Sequence, residues 1–261
     1  MSNLFQWVRR RRLQRMHRGE AQLSIRQPQQ LVQSWRRQRL LDLWQLQVER
    51  HHAEQYRGIP MAKFPQDLWS YEGLIDRYQP DVVMEVGIFQ GGFSRWLFDR
   101  LHLLPPRPEG RRRHLSGLDL TIETARGNLR EQLLSEDPRD PVLHLHQCDL
   151  TNAEQVRATK QAISPLCSGS KLLLIEDSGH TEATTRSALA AFSDLVPIGG
   201  WLVVEDTCVD LEALRQEQTW PRGALTALQQ FLDQHPNFSV NTVNHRYGIT
   251  CHPYGFLQRT H

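Results

Sequence analysis

The chain of 261 residues is long enough for one large domain, or for one domain with an appendage. Only 39% of the residues are hydrophobic, which is low for a fully compact protein, and the net charge is +2. The four cysteines show no CxxC spacing, which argues against a zinc site and a disulfide framework and predicts a reduced, cytoplasmic setting. No apolar run approaches the roughly 20 residues needed to span a bilayer, and no apolar segment follows the N-terminal arginines as in a secretory signal.

The positive charge is concentrated in residues 1–57, which hold twelve Arg, no Lys and four acidic residues. This arm carries a charge of +8, against −6 for the rest of the chain. Within this arm, the spacing is that of an amphipathic helix at Leu40, Leu41, Trp44 and Val48. We therefore predict a basic helical extension over 1–57 and a globular domain over 58–261.

The basic extension fits two kinds of role. One is contact with an anionic partner, such as a peripheral membrane surface, an acidic glycan or nucleic acid. The other is packing on its own domain or on a second subunit of a homo-oligomer. We favour packing, and nucleic acid is the weakest partner class because no recognised binding module accompanies the charge.

A short apolar run, Val82–Val86, leads directly into a segment that contains Gly87, Gly91 and Gly92. A strand, a glycine-rich turn and a helix form a nucleotide-binding loop, because glycine lets the backbone turn tightly and approach a ligand. The spacing matches neither the dinucleotide fingerprint nor the P-loop. Glu85, just before the loop, suits a ligand with a positive group, such as the amino acid part of S-adenosylmethionine. The alternative is a tight turn that serves only packing.

The next two predicted strands also end near acidic residues. The strand over 115–120 carries Asp119, which stands where a second-strand acid accepts hydrogen bonds from ribose hydroxyls. A helix over 122–134 is predicted to follow, and then a strand over 142–146. Asp149, just past that strand, is a candidate for the adenine side of the pocket.

Two further apolar runs, Leu172–Ile175 and Trp201–Val204, read as strands separated by a helix. They are followed by four acidic residues: Glu176 and Asp177, then Glu205 and Asp206. The carboxyl ends of parallel strands share one edge of a sheet, so these carboxylates are expected to meet, with His180 beside them. Clustered carboxylates repel each other unless a cation or proton intervenes, and oxygen ligands suit Mg²⁺. The alternative is that the acids are solvated loop or helix-capping residues.

The chain closes with two predicted strands, over 238–243 and 247–251, joined by a turn at 244–246. Strands that alternate with helices predict an α/β fold with a doubly wound, mostly parallel sheet. By analogy, a final antiparallel hairpin is typical of Rossmann-like, class I methyltransferases.

Taken in order, these motifs resemble those of the cephalosporin hydroxylase family, which includes rhamnosyl O-methyltransferases. Its members look like S-adenosylmethionine-dependent O-methyltransferases despite the name. The similarity runs from about Lys63 to Arg259 and leaves residues 1–57 outside. It rests on Glu85-Val86-Gly87 with Gly91-Gly92, on Asp119, on Ile175–His180, on Gly199–Thr207 and on Pro253–Arg259.

The resemblance implies a Mg²⁺ ion held by the residues that match Asp177, Glu205 and Asp206. The cofactor is expected to be S-adenosylmethionine, bound by Glu85, Gly87, Gly91, Gly92, Ser94, Asp119, Asp149 and Asp177. Two departures leave questions open. Phe93 stands where a Ser usually follows the two glycines, which puts the contact with Ser94 in question. Glu176 fills a position that is usually apolar; we keep Asp177 as the ligand because neighbouring strand residues point to opposite faces.

The expected reaction is methyl transfer to a hydroxyl of a sugar or a small natural product. A metal ion lowers the pKa of the hydroxyl, with Asp177 as a catalytic ligand, and His180 removes the proton or orients the acceptor. One rival interpretation is an oxidoreductase or hydroxylase on the same fold. The glycine spacing opposes NAD, and no two-His-one-carboxylate set lies at the strand ends. The other rival is a non-catalytic adaptor that uses the basic arm.

Overall fold

The computed structural model describes residues 39–215 and 219–261. The predictions for residues 1–38, which include most of the basic arm, lie outside the described residues. The chain divides into two compact units after Arg50, earlier than the boundary predicted at residue 57.

Helix α1 (Leu40–His51) begins in the first unit, where the spacing predicts an amphipathic helix. Trp44 and Val48 are buried, whereas Leu40 and Leu41 at its start are exposed. No helix within the described residues has the length and apolar character that crossing a membrane requires.

The second unit begins with an antiparallel pair, β1 (Gln55–Tyr56) and β2 (Ile59–Pro60). A seven-stranded sheet follows, with the strands β3 (Val82–Val86), β4 (His114–Asp119), β5 (Val142–Gln147), β6 (Leu172–Glu176), β7 (Trp201–Val204), β8 (Phe238–Val240) and β9 (Phe256–Arg259). Their order in the sheet is β5-β4-β3-β6-β7-β9-β8. Strands β3 to β7 pair in parallel, and β9 runs antiparallel to both β7 and β8.

Helices connect the parallel strands, as the doubly wound pattern predicts. The connecting helices are α3 (Gly92–Leu103), α4 (Glu123–Asn128), α5 (Arg130–Leu133), α6 (Ala153–Cys167) and α7 (Glu182–Phe192). Helix α2 (Pro65–Tyr78) precedes β3, and α8 (Ala224–Gln234) lies between β7 and β8. Short 3₁₀ helices lie at Pro108–Gly110, Ser193–Leu195, Thr207–Asp210 and Val243–Tyr247.

The sheet is buried on both faces, because alternate residues of each central strand belong to different core clusters. Leu174 and Val204 pack in the cluster that contains Phe192 of α7. Ile175 and Val203 pack on the other side, in the cluster that contains Tyr71 of α2. Two covered faces explain why these strands are apolar runs rather than alternating sequences.

The order of the strands reverses between β3 and β6, and ligands of open α/β sheets bind in the crevice at such a point. The turn after β3 and the end of β6 approach each other very closely there. A Cβ atom on Gly87 would lie 2.1 Å from the carbonyl oxygen of Asp177. Gly87 also has a φ of +92°, which side chains disfavour, so glycine is required at this position.

Two expectations about local structure are wrong. The helix predicted over 122–134 is broken at Leu129 into α4 and α5. Gly127 and Asn128 are weak helix formers, and the Asn128 side chain donates to the carbonyl of Gln90.

The strand predicted over 247–251 is also absent, and β9 takes its place beside β8. Polar side chains hold this segment as a 3₁₀ helix and a loop. Asp67 accepts hydrogen bonds from the Thr250 hydroxyl and from the Cys251 backbone N–H at 2.8 Å. Asn244 donates to the carbonyl of His252 at 2.9 Å. The predicted closure by an antiparallel pair is confirmed with β9 as its second strand.

Candidate active site

A cavity of about 780 Å³ lies at the carboxyl ends of the parallel strands. Its walls come from the loops that follow β3, β4, β5, β6 and β7, and from the segment around β2. Most of the predicted site residues line it: Glu85, Gly87, Gly92, Asp119, Asp149, Asp177, His180 and Asp206. Gly91, Ser94 and Glu205 do not line it.

The glycine-rich loop brings backbone close to this cavity. A Cβ atom on Gly92 would lie 2.2 Å from the carbonyl oxygen of Pro60, so the start of α3 can pack under β2 only with glycine there. Gly91 precedes α3 with a φ of +89°. Asp119 fixes the turn between them and β3, since its Oδ2 accepts from the backbone N–H of Ile88 at 2.9 Å and of Phe89 at 3.0 Å.

Glu85 is almost wholly buried at the end of β3, and it faces the cavity. Burial raises its pKa to about 7, although Lys63 and the Ser94 hydrogen bond act in the opposite direction. The Ser94 hydroxyl donates to Glu85 Oε2 at 2.5 Å. The structure thus places Ser94 behind Glu85, as a donor to its carboxylate, and not on the cavity wall.

Asp149 turns back on its own loop, where its Oδ1 accepts from the backbone N–H and the hydroxyl of Thr151 at 2.8 and 2.7 Å. These hydrogen bonds lower the pKa of Asp149. The carboxylate is therefore a fixed acceptor on the cavity wall.

The strand ends bring Asp177, His180 and Asp206 together, with one potential ligand atom from each within 4.8 Å of the others. His180 Nε2 lies 3.5 Å from Asp206 Oδ2. Its Nδ1 is buried and has no hydrogen-bond partner among the described residues. Both His180 and Asp206 have positive φ values, +53° and +51°, although neither is glycine. Such strained backbone clusters at functional sites.

Glu176 takes a different direction from Asp177. It is the last residue of β6, is 1% exposed, and does not line the cavity. Its Oε1 accepts hydrogen bonds from the backbone and the hydroxyl of Ser178. Burial raises the pKa of Glu176. On the geometry, Asp177 faces the cavity, whereas Glu176 supports the turn after the strand.

Sequence reasoning did not find Lys63, whose ammonium group lies between two of the nominated metal ligands. Its Nζ donates to Asp177 Oδ2 and, at 2.5 Å, to Glu205 Oε2. Burial acts to lower the pKa of Lys63, but the charges of Asp177 and Glu205 outweigh it and hold that pKa above its ordinary value.

Glu205 is fully buried beneath the cavity and is held by three elements. Its Oε1 accepts from the Tyr71 hydroxyl at 2.6 Å, and its Oε2 accepts from Lys63. His252 Nε2 lies 3.6 Å from the same oxygen, while His252 Nδ1 accepts from the backbone N–H of Asp206 at 2.7 Å. Burial alone would raise the pKa of Glu205, but the charges of Lys63 and His252, with the Lys63 hydrogen bond, together outweigh it and lower that pKa.

A readable signal for part of this network exists in the sequence. Asp67 and Tyr71 are spaced by four residues within α2, so they project from one side of the helix, and Lys63 lies two residues before its start. His252 carries no such signal, because the antiparallel return to β9 alone brings it to Asp206.

The donor set fits a hard divalent ion. Burial and the charge of Glu205 raise the pKa of Asp177 well above its ordinary value, which shows how unfavourable the clustered negative charge is. Two cavity-facing carboxylates beside one imidazole, with Glu205 behind them, offer mainly oxygen ligands. Mg²⁺ prefers such ligands and keeps several waters when it binds.

The reversed strand order, the glycine-rich loop after β3 and the acidic strand ends define a Rossmann-like methyltransferase. Residues 49–260 match the family model described as Rhamnosyl O-methyltransferase/CmcI. The chain belongs to this family, and its enzyme class is that of an O-methyltransferase.

Curated relatives agree with this placement. The chain is 24% identical over 209 residues to the rhamnosyl O-methyltransferases of Mycobacterium tuberculosis (strain ATCC 25618 / H37Rv) and Mycobacterium bovis (strain ATCC BAA-935 / AF2122/97). The match covers 78% of this chain and 77% of each relative.

Solved structures of CmcI share the fold. The form described as "cmcI-D160 Mg-SAM" has a TM-score of 0.56 at 18% identity, and covers 80% of this chain and 78% of that one. The form described as "cmcI-N160 SAH" has a TM-score of 0.54 at 18% identity, with 81% and 85% covered.

Proposed function

We propose that this protein is an S-adenosylmethionine-dependent O-methyltransferase that uses a divalent cation, Mg²⁺, and acts on a hydroxyl of a sugar or a small natural product. The observation that carries the proposal is that the glycine-rich loop and the group of Asp177, His180 and Asp206 open onto one cavity. The CmcI form with Mg and SAM and the rhamnosyl specificity of the curated relatives support it.

The cofactor side is formed by the loops after β3, β4 and β5. The buried carboxylate of Glu85 is suited to the ammonium of the methionine part, because a cation relieves the cost of ionising a buried acid. Asp119 and Asp149 lie on the cavity wall as acceptors for ribose hydroxyls and for the adenine side. Gly87 and Gly92 let this loop pack against the backbone of Asp177 and Pro60, which forms the cofactor side of the cavity.

The acceptor side is formed by the ends of β6 and β7. Asp177 and Asp206 are the residues that would hold the metal ion at the cavity, with Glu205 directly behind. When bound, the ion supplies positive charge that lowers the pKa of the acceptor hydroxyl. His252 keeps Asp206 in its left-handed conformation by accepting its backbone N–H.

His180 is the residue proposed to move the proton. Its Nε2 lies beside Asp206 at the cavity, whereas Nδ1 is buried, so Nε2 is the atom that accepts the hydroxyl proton. The hydroxyl oxygen then takes the methyl group from the sulfonium, and S-adenosylhomocysteine leaves. General-base catalysis of this kind contributes roughly 10²–10⁴-fold to the rate.

The predicted cytoplasmic location, the homo-oligomer and the contact of the basic arm with anionic membranes remain proposals. An oxidoreductase is the second candidate function. None of the metal-capable groups that the described residues form at the site contains two His side chains, so they offer no two-His-one-carboxylate set.

Calorimetric titration with S-adenosylmethionine, with and without Mg²⁺, tests the proposal, together with mass spectrometry of a panel of glycosides for the gain of a methyl group. We expect cofactor binding in both conditions and product only with Mg²⁺. Asp177→Asn should abolish the response to Mg²⁺, while Asp233→Asn on the exposed side of α8 should not change it. Binding of a nicotinamide cofactor in place of S-adenosylmethionine would favour the oxidoreductase, and full activity in chelator would refute the role of the metal.

A further inference from the structure

Lys63 is enclosed at the junction of β6 and β7. The residue is 6% exposed and precedes α2, from which Asp67 and Tyr71 project on the same side. Its ammonium contacts one carboxylate from the end of each strand, Asp177 and Glu205. The ring of Phe93 lies 4.4 Å from Nζ and covers it from α3.

We propose that Lys63 is a built-in counter-cation, a positioning residue that ties the ends of β6 and β7 together and sets the charge of the metal site. The proposal rests on the proposed function. Three carboxylates, those of Asp177, Glu205 and Asp206, share this region with one ammonium group. When all three carboxylates are ionised, the four groups carry a net charge of −2, which one divalent ion would neutralise.

Lys63 and the ion would contact different parts of the carboxylate cluster, so the ammonium would not replace the ion. The carboxylates that face the cavity and can hold an ion are those of Asp177 and Asp206, with His180 beside them. Lys63 bonds to Glu205, which does not line the cavity, and shares only Asp177 with that group. The ammonium therefore balances the buried part of the cluster, and the ion balances the part that faces the acceptor.

The charge of Lys63 must oppose cation binding in proportion to the valence of the cation, since Coulomb energy scales with the product of the charges. Lys63→Met removes this opposition. If it tightens Mg²⁺ binding about tenfold, the same energy per unit charge tightens Tb³⁺ binding about thirtyfold. A role in packing alone would give no increase and no dependence on valence.

The experiment titrates the full chain with Mg²⁺ and with Tb³⁺ in the absence of cofactor and acceptor, and it records thermal unfolding in chelator. We expect Lys63→Met to bind both ions more tightly, with the larger gain for Tb³⁺, and to unfold at a lower temperature until Mg²⁺ is added. Lys63→Arg should behave as the wild type. Lys160→Met is the matched control, because Lys160 forms only an exposed ion pair with Asp194 at 2.7 Å.

A double variant keeps the test decisive if Lys63→Met does not fold. Lys63→Met with Glu205→Gln removes one charge of each sign, so the cluster keeps the wild-type balance. We expect its Mg²⁺ affinity and its Tb³⁺ to Mg²⁺ ratio to match the wild type within about threefold. A weaker Mg²⁺ affinity in the folded double variant would overturn the proposal, because Glu205 would then be needed by the ion and not by Lys63.

Titration of the same samples with S-adenosylmethionine separates the two levels of the hypothesis. One outcome is that the wild type binds Mg²⁺ while folded Lys63→Met binds it with the same or a weaker affinity. That outcome refutes the role of Lys63 and leaves the proposed function intact. Wild-type binding of S-adenosylmethionine without any binding of Mg²⁺ refutes the metal and Lys63 together. If the wild type binds neither Mg²⁺ nor S-adenosylmethionine, the proposed function as a whole is refuted.

Discussion

Glu85→Gln tests the claim that a buried acid at the end of β3 is reserved for a cationic ligand. Burial raises the pKa of Glu85 from 4.5 to about 7. Between these two pH values the native state binds a proton that the unfolded state has lost, so the free energy of unfolding falls as pH rises. A shift of this size corresponds to about 3 kcal/mol, which the wild type loses relative to Glu85→Gln between pH 4.5 and pH 8.

Cofactor binding should reverse part of this cost. At pH 7 about half of the Glu85 carboxyls are protonated, and an ammonium group beside the carboxylate lowers its pKa. Binding of S-adenosylmethionine should then release about half a proton. Calorimetry in two buffers with different enthalpies of ionisation measures this release directly.

Urea unfolding at pH 5 and pH 8 provides the stability measurement, and Glu85→Gln is the reference in both assays. Gln keeps an acceptor for the Ser94 hydroxyl but carries no titrating proton. The reasoning is refuted if the wild type and Glu85→Gln show the same pH dependence of unfolding. It is equally refuted if they release the same number of protons on binding the cofactor.

Three other substitutions probe the remaining parts of the site. Gly87→Ala places a Cβ atom 2.1 Å from a backbone oxygen at a φ of +92°, and it should lower the free energy of unfolding in denaturant by roughly 2–5 kcal/mol. The control is Gly127→Ala, whose Cβ atom meets nothing within 4 Å and which should be neutral or stabilising. Tyr71→Phe removes a 2.6 Å donor to a buried carboxylate and should cost about 1.5–3 kcal/mol in the same assay; a loss below that of Tyr78→Phe, whose 3.3 Å bond reaches a carbonyl, would contradict this. His180→Gln should retain cofactor and Mg²⁺ affinity but lower kcat by about 10²-fold or more, and an unchanged kcat would remove His180 from the mechanism.

The centre of the parallel sheet was predictable because β3, β6 and β7 are short, mainly apolar runs that end at glycine or acidic residues. Val82–Val86 and Trp201–Val204 have the expected bounds, and burial on both faces leaves such strands no alternative pattern. The cavity wall followed from the same reasoning, since the carboxyl ends of parallel strands share one edge. Asp119, Asp149 and Asp177 all lie on that wall.

The segment after residue 240 was not predictable in the same way. Its sequence alternates like a strand, but Asp67 takes the backbone N–H of Cys251 that a strand would use. The competing partner is 184 residues away in the chain. The prediction from the local pattern therefore failed, because a buried side chain from a distant helix accepts the backbone hydrogen bond that a strand partner would have accepted.

The sequence also did not predict which of the four carboxylates face the cavity. Four acids follow two strands, yet Glu176 and Glu205 turn inward while Asp177 and Asp206 reach the cavity. Strand pleating predicts that neighbours diverge, but it does not say which member of each pair faces the ligand. That choice depends on donors supplied by other elements: the Ser178 turn for Glu176, and Tyr71 with Lys63 for Glu205.

The antiparallel strand β9 has a functional consequence that follows from this geometry. Because β9 pairs with β7, the chain must return past the end of β7, and the return places His252 against the backbone of Asp206. The N–H of Asp206 is thereby satisfied in a left-handed conformation that would otherwise be unfavourable for a non-glycine residue. The same imidazole lies between Asp67 and Glu205 on its other side, at 3.5 and 3.6 Å. The return to β9 thus supplies the imidazole that holds Asp206 beside Asp177 and His180.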